Sequence, residues 1–403
     1  MAVETPAELR GPTALAARAV APDLARGVML LLIALANVHT YLHGHSIGLR
    51  GYPEQLSRTD EVVVWLQMTL VDGRAYPFFG VLFGYGLVQL LRRLERSGEP
   101  MEAAQSLLRR RGGWLMLFGL LHALLLFSGD ILGAYGLLAV LLAGVIMFSA
   151  DRRLLVAAGL WSLLMVVLAA FQGFPPPSGT TALLPSMGTT NPLLAAAFRL
   201  GEWVGLGLFQ AGSVAAAVLI GAWAARRGLL DEPERHVRRL RSGAAVGLLL
   251  GVIGGQPFAL MAAQWWQDPS LAVSMLAAAL HNVCGYAAGI GYACLFGLVA
   301  VGLRGRRGPV VSALVATGQR SLTCYLAQSV VFVALLASYG GGLGDELGVA
   351  QASVVGLLTW LGTVVLAAAL AAAGRRGPFE GLLRRLTYST RRATAGSAAQ
   401  CPG

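Results

Sequence analysis

Lysine is missing altogether from this chain of 403 residues, cysteine occurs only four times, and charged residues make up 13%. Soluble globular proteins carry about 25% charged residues, so the shortage excludes a cytosolic enzyme. With 56% hydrophobic residues and a mean hydropathy of +0.65, a disordered chain is excluded as well. Four cysteines without CxxC or Cys/His spacing exclude a disulfide-stapled secreted scaffold and the zinc and iron–sulfur classes. Cys284 and Cys294 lie about 15 Å apart on one helical run, beyond disulfide reach. Cys324 falls in a span and Cys401 in the C-terminal tail. What remains is a polytopic membrane protein.

A bilayer core about 30 Å thick takes roughly 20 apolar residues per helix. Ten such runs are present, near 24–42, 75–91, 113–128, 131–149, 154–171, 199–225, 243–263, 274–303, 310–337 and 350–373. The expected fold is therefore all-α, with ten transmembrane helices; the eighth and ninth runs are long enough to hide a break or a strong tilt.

The net charge of +11 looks at first like a nucleic-acid signal, but its distribution assigns it to topology. Arginines crowd the N-terminal segment and alternate loops: 92–111, Arg152 with Arg153, 226–241, 304–307 and the tail from Arg375. The intervening loops are poor in arginine. That is the positive-inside pattern, and it fits an even number of spans with both termini in the cytoplasm. The same loops would rest on anionic lipid headgroups, and no nucleic-acid partner is expected. The lack of lysine reflects GC-rich coding, since lysine serves the topology rule equally well.

Three parts are expected: a cytoplasmic segment 1–23, a membrane domain 24–373, and a basic, partly disordered tail 374–403. Residues 54–71 read as a short interfacial helix, and 172–198, with Pro175, Pro176 and Pro177, as an irregular loop. The GxxxG pairs Gly80/Gly84 and Gly285/Gly289 read as sites of close helix approach. No internal repeat of the kind found in many transporters is evident.

An ionisable group in a span costs at least ~2.5 kcal/mol on insertion scales, so each needs a reason. Arg26 and Asn37 share one face of the first helix, about 16 Å apart along its axis. Towards the outer side gather His39, His43, His45, Asp72, Arg74, His122 and Asp130. The ninth run holds Gln319, Arg320, Thr323, Tyr325 and Gln328. Each has a plainer reading too. Arg26 suits a snorkelling anchor, His43 and His45 a solvated loop, His122 a structural histidine, and Asp72 with Arg74 a helix-end ion pair. Arg320 stands either at the inner headgroups or well inside, where it must face a cavity or a partner.

Several blocks resemble one family. DLARGVMLLLIALAN at 23–37, VDGRAYPFFGVLFGYG at 71–86, GLLHALLLFSGDILGAYGLL at 119–138, GQRSLTCYLAQS at 318–329 and RRGPFEGLLRRLTY at 375–388 look like the YeiB-like bacterial membrane proteins, the domain-of-unknown-function family 418. Residues 150–300 match only in hydropathy. That family is similar to a wider group of ten-helix membrane acyltransferases, which includes the lysosomal heparan glucosaminide acetyltransferase. The resemblance implies transfer of an acyl group from cytosolic acyl-CoA, as co-substrate and with no tightly bound cofactor or metal, to a sugar or lipid-linked acceptor at the far face. In those relatives the first-helix arginine is followed at the same interval by histidine or asparagine, and Arg26 with Asn37 match the asparagine branch. His43 and His45 stand displaced from the position of that branch's catalytic histidine.

Acyl transfer needs a base of near-neutral pKa and a carboxylate to orient it. His122 with Asp130 are the expected pair, and His39 is the rival base. Asn37 or Arg74 would stabilise the oxyanion. Arg26 and Arg320 would hold CoA phosphates, with Asp72 and Gln328 as further binding groups. Two other functions fit the same polar column: a transporter or exporter of a small or lipidic molecule, and a non-catalytic membrane protein. The oligomeric state is left open.

Overall fold

The computed structural model describes residues 20–398. Residues 1–19 and 399–403, which hold most of the expected cytoplasmic N-terminal segment and Cys401, lie outside the described residues. Thirteen α-helices make up the described chain. They are α1 Val20–Val38, α2 Arg58–Leu70, α3 Ala75–Arg96, α4 Met101–Leu125, α5 Ile131–Phe148, α6 Asp151–Ala170, α7 Pro192–Arg226, α8 Val237–Ala262, α9 Leu271–Leu303, α10 Pro309–Gln319, α11 Ser321–Leu336, α12 Val349–Ala372 and α13 Pro378–Ala398. Among the described residues there is no β-strand, only the isolated bridges His43–Ala182 and Ile47–Pro53.

The ten apolar runs coincide with α1, α3 to α9, the α10–α11 pair and α12. Seven helices are long and apolar enough to cross a membrane, and the α10–α11 pair makes an eighth if its bent halves form one span. Helices α3 and α4 fall short, because Arg92, Arg93 and Arg96 close one while Arg109, Arg110 and Arg111 sit inside the other. The outer surface fits a lipid solvent: Leu193, Val310 and Leu276 are 82%, 73% and 70% exposed, a belt that water would penalise heavily.

Capping groups start the helices where the sequence signals them. Ser57 and Asp60 form a capping box on α2, and Asp60 Oδ1 also accepts from Ala350 N at the start of α12, at 2.8 Å. Asn191 caps α7 ahead of Pro192, and Ser270 caps α9. Each satisfies backbone N–H groups that an apolar surround would leave costly.

Small residues then bring the helices together. Gly84 of α3 meets the Val218 carbonyl of α7, and Gly221 of α7 meets the Val81 carbonyl in return. Gly285 and Gly289 of α9 lie against the backbone of Gly73 and of Pro77 and Phe78. Both GxxxG pairs thus act as packing surfaces. A side chain at Gly84 has nowhere to go but into the α7 backbone. Gly84→Leu is therefore expected to destabilise the fold by about 1–3 kcal/mol or more, read as a lower unfolding temperature in detergent.

The break foreseen in the two long runs falls only in the ninth, where α10 and α11 meet at 86°. Arg320 stands at the corner, 2% exposed. It donates to the carbonyls of Ala316 in α10 (3.1 Å) and Arg375 (2.6 Å). Glu380 caps the other side, accepting from Leu322 N (2.8 Å) and Thr323 N (3.0 Å). This contact anchors the first part of the tail, where residues Pro378–Ala398 form α13. Its Leu383 and Thr387 are buried, and helix α13 packs against α4 and α11.

One end of the bundle gathers the arginines. Arg226 of α7 donates to Ser149 O (2.7 Å) and Asp151 Oδ1 (3.0 Å), and Arg92 of α3 donates to Arg226 O at 2.8 Å. This arginine-rich end and the opposite, far end frame everything below.

Candidate functional site

Asp130 ends the short turn between α4 and α5 and does two things there. Its Oδ2 accepts from Gly133 N at 2.7 Å, capping α5. Its Oδ1 accepts from His122 Nδ1–H at 2.8 Å. The cap fixes the carboxylate, and the carboxylate fixes the imidazole. Gly119, one turn before His122, makes room for this, since a Cβ there would collide with Asp130 Oδ2. Beside an ionised carboxylate, Nδ1 carries the proton and Nε2 keeps its lone pair. That lone pair accepts from Ser329 Oγ on α11 at 2.8 Å. Ser329, His122 and Asp130 therefore form a serine–histidine–aspartate relay, with exposures of 3%, 3% and 0%. Such a chain of groups gives a hydroxyl a nearby base and the base an orienting anion.

Two tyrosines enclose the relay. The Tyr325 ring packs on His122 with centroids 5.0 Å apart. The buried Tyr41 hydroxyl lies within interaction range of the Ser329 side chain and makes no hydrogen bond of ordinary geometry. Buried hydroxyls almost always find partners, and Ser329 is the neighbour within reach of this one.

A cavity of about 630 Å³ opens at the arginine-rich end and runs towards this group. Arg92, Arg93, Arg96, Arg111, Arg376 and Arg384 line it, with Arg26 and Arg320 in its walls and Asp23, Asp231, Glu232 and Glu380 among them. Further along α3 its lining turns to Phe83 and Phe79, and it reaches Ile131, Tyr135 and Tyr325. From Arg96 to Phe79 is a helical rise of about 26 Å. Ile131 directly follows Asp130, so the cavity ends one residue from the carboxylate and one ring, Tyr325, from His122. Tyr325 belongs to both the cavity lining and the relay's surround, while His122 itself is not in the lining.

The other residues singled out in the sequence divide between this site and elsewhere. Arg26 lines the cavity, bound to Asp23 Oδ1 at 3.0 Å and to Leu82 O at 3.2 Å. Gln328 donates to Leu30 O at 3.3 Å, and its Oε1 is buried without a partner. Asn37 is half-buried, and its backbone carbonyl accepts from Thr40 Oγ1 at 2.6 Å.

His39, Asp72 and Arg74 form a second group at the far end. Arg74, fully buried, donates to Asp72 O (2.6 Å), Gly251 O (2.7 Å) and the His281 ring (2.8 Å to Nε2). Asp72 Oδ2 accepts from Tyr52 at 2.6 Å, and His39 stacks on Tyr52 at 4.3 Å. The expected Asp72–Arg74 ion pair is therefore corrected: the guanidinium binds carbonyls and the carboxylate binds a phenol, because the turn at Gly73 (φ 75°) aims them apart. Arg74, whose Nε is buried without a partner, and His39 thus stand together in this second group rather than in the relay. Arg74→Met would strand two buried carbonyls and His281, each at about 1–3 kcal/mol. A loss of several kcal/mol in thermal stability is expected. His43, read as a solvated loop residue, is likewise buried, with Ser338 Oγ 3.0 Å from Nε2; His45 is exposed.

Several residues escaped the sequence reading, among them Tyr41 and the cavity arginines Arg96 and Arg384. His281 carries the same signal as His122, an ionisable group inside an apolar run, and Asn282 beside it accepts from the Tyr76 hydroxyl at 2.6 Å. Ser329 gives no such signal. A serine in a membrane helix is ordinary, and its partner lies 207 positions away.

Comparison with known proteins agrees with the blocks quoted above. Residues 224–390 match the family described as Protein of unknown function (DUF418). The match takes in Ser329 and leaves His122 and Asp130 outside, and it extends into a stretch where only hydropathy is expected to agree. The chain is 26% identical to the uncharacterized protein YeiB of Escherichia coli, over 92% of this chain and 96% of that one. It is 24% identical to the uncharacterized protein YxaH of Bacillus subtilis, over 91% and 93%. An all-helical fold, the family match over residues 224–390 and two relatives aligned along nearly their whole length support the resemblance to the YeiB-like proteins of the DUF418 family.

Proposed function

We propose that the protein is an acyl-CoA-dependent membrane acyltransferase of the bacterial inner membrane. The observation that carries this reading is the cavity with an arginine mouth that ends against the ring packed on His122. Arginine forks suit the phosphates of CoA, and the acidic residues between them hold the side chains apart and oriented. The phenylalanine and tyrosine walls suit the less polar pantetheine arm. At the end stands a histidine whose tautomer is fixed by Asp130, ready to take a proton from a hydroxyl as a thioester is attacked. The acceptor, a sugar or a lipid-linked group, approaches from the far end. The arginine-rich end faces the cytoplasm and its acyl-CoA pool.

The test uses full-length protein in lipid nanodiscs with acetyl-, butyryl- and palmitoyl-CoA. CoA should bind with an affinity that weakens as salt rises, and thioester should be lost in a His122-dependent manner. Binding without loss of any thioester, together with inward-open and outward-open forms, would favour a transporter instead. The broken helix at Arg320 is the one observation on that side, since discontinuous helices serve substrate sites in many transporters.

A further inference from the structure

The geometry points to Ser329 as an acyl-carrying nucleophile, which takes the acyl group from the thioester and then yields it to the acceptor. The inference rests on the acyl-CoA reading and goes beyond it. Three observations lead there. First, His122 Nε2, the nitrogen that must accept a proton, is already occupied by Ser329 Oγ at 2.8 Å; an external hydroxyl would have to displace an internal one that is correctly placed. Second, the buried Tyr41 hydroxyl lies within interaction range of the Ser329 side chain but makes no hydrogen bond of ordinary geometry, so its proton is held by no fixed acceptor. It suits the oxyanion that forms when the serine attacks a carbonyl. Third, Ser329 lies one helical turn beyond Tyr325, the last residue of the cavity on α11. It is 3% exposed. A serine walled off from water can keep an ester that water would otherwise cleave.

The steps balance. Ser329 Oγ bonds to the thioester carbonyl carbon while its proton passes to His122 Nε2. The carbon–sulfur bond breaks, and the departing thiolate takes that proton and leaves as free CoA. An acceptor hydroxyl then gives its proton to Nε2 as its oxygen attacks the serine ester. Ser329 Oγ leaves with the electron pair and recovers the proton from the imidazolium. Asp130 stays ionised throughout and stabilises the charged ring. Because the serine is served first by the donor and then by the acceptor, the two need never occupy one cavity together. Tyr325 must swing aside for the acyl group to reach Oγ, and its ring then closes the path behind it.

The experiment is covalent trapping. Full-length protein in nanodiscs is mixed with radiolabelled acetyl- or palmitoyl-CoA without acceptor, quenched in acid and digested. The peptide carrying Ser329 is then examined by mass spectrometry. Wild type should carry the acyl mass on Ser329, released only by alkaline hydroxylamine, as an oxygen ester is. Ser329→Ala should lose the label completely, and His122→Ala should accumulate it at least tenfold more slowly. Ser329→Cys should carry a label that neutral hydroxylamine removes, the signature of a thioester, and this also shows that the site remains folded. Thioester consumption that continues at the wild-type rate in folded Ser329→Ala, with no adduct on wild type, overturns the carrier and leaves the transferase standing. A wild-type protein that neither binds nor consumes any acyl-CoA overturns both.

Discussion

His122→Ala is expected to lower the rate of acyl-CoA consumption by about 10²–10⁴-fold, the usual contribution of a positioned general base. The fall should appear in kcat with little change in the affinity for CoA, because the imidazole lies behind the Tyr325 ring and outside the cavity lining. A loss confined to kcat marks an interaction made in the transition state. The companion variant is Asp130→Asn. Asparagine is as good a helix cap as aspartate, so the bond to Gly133 N survives and α5 keeps its start. Its amide, however, donates to His122 Nδ1 instead of accepting, which moves the ring proton to Nε2. The lone pair facing Ser329 is then gone. Asp130→Asn should therefore approach the His122→Ala loss while unfolding at nearly the wild-type temperature. Equal activity with a much lower unfolding temperature would instead make Asp130 a purely structural cap.

The second large effect is on binding. Arg96 and Arg384 line the cavity on α3 and α13, and each charge-assisted hydrogen bond to phosphate contributes about 1.5–3 kcal/mol. By the same arithmetic each removal weakens binding about tenfold or more, so Arg96→Gln with Arg384→Gln should raise the Kd for CoA about a hundredfold. The rate at saturation should hardly move, since these contacts stay the same from ground state to transition state. Arg152 and Arg153 give the control. They stand exposed on α6 at the same end, away from the cavity lining, and their replacement by glutamine should leave CoA affinity unchanged. Equal weakening by both pairs would mean that general positive charge, not the cavity, attracts CoA.

Much of the architecture was legible because membrane insertion imposes a strong rule on local sequence. The ten runs became helices because a span must satisfy its own backbone, and Asp130 could be paired with His122 because a tight turn between consecutive helices brings them together. Contacts set by helix packing were not legible. Ser329 meets His122 across 207 positions, and Arg74 meets His281 across the same separation. Charge proximity in sequence also misled at Asp72 and Arg74, where a left-handed glycine between them redirects both side chains. The helix at 378–398 was missed because its composition is polar and basic; it is held from outside, by the docking of Leu383 and by Glu380 at the broken helix. Arg320 illustrates the mixture. Its position inside an apolar run announced that it must face a cavity or a partner, but only the fold reveals that it does both, lining the cavity and donating to the carbonyls of Ala316 in α10 and Arg375 ahead of α13.

The most direct measurement is a structure of the full-length protein at saturating CoA, in nanodiscs. The account predicts phosphate density at the arginine mouth, between Arg96 and Arg384. It also predicts the pantetheine arm along Phe83 and Phe79, with the thiol end at Tyr325, one ring away from His122 and Ser329. CoA bound elsewhere, or with its thiol turned away from Tyr325 and out towards lipid, would contradict it.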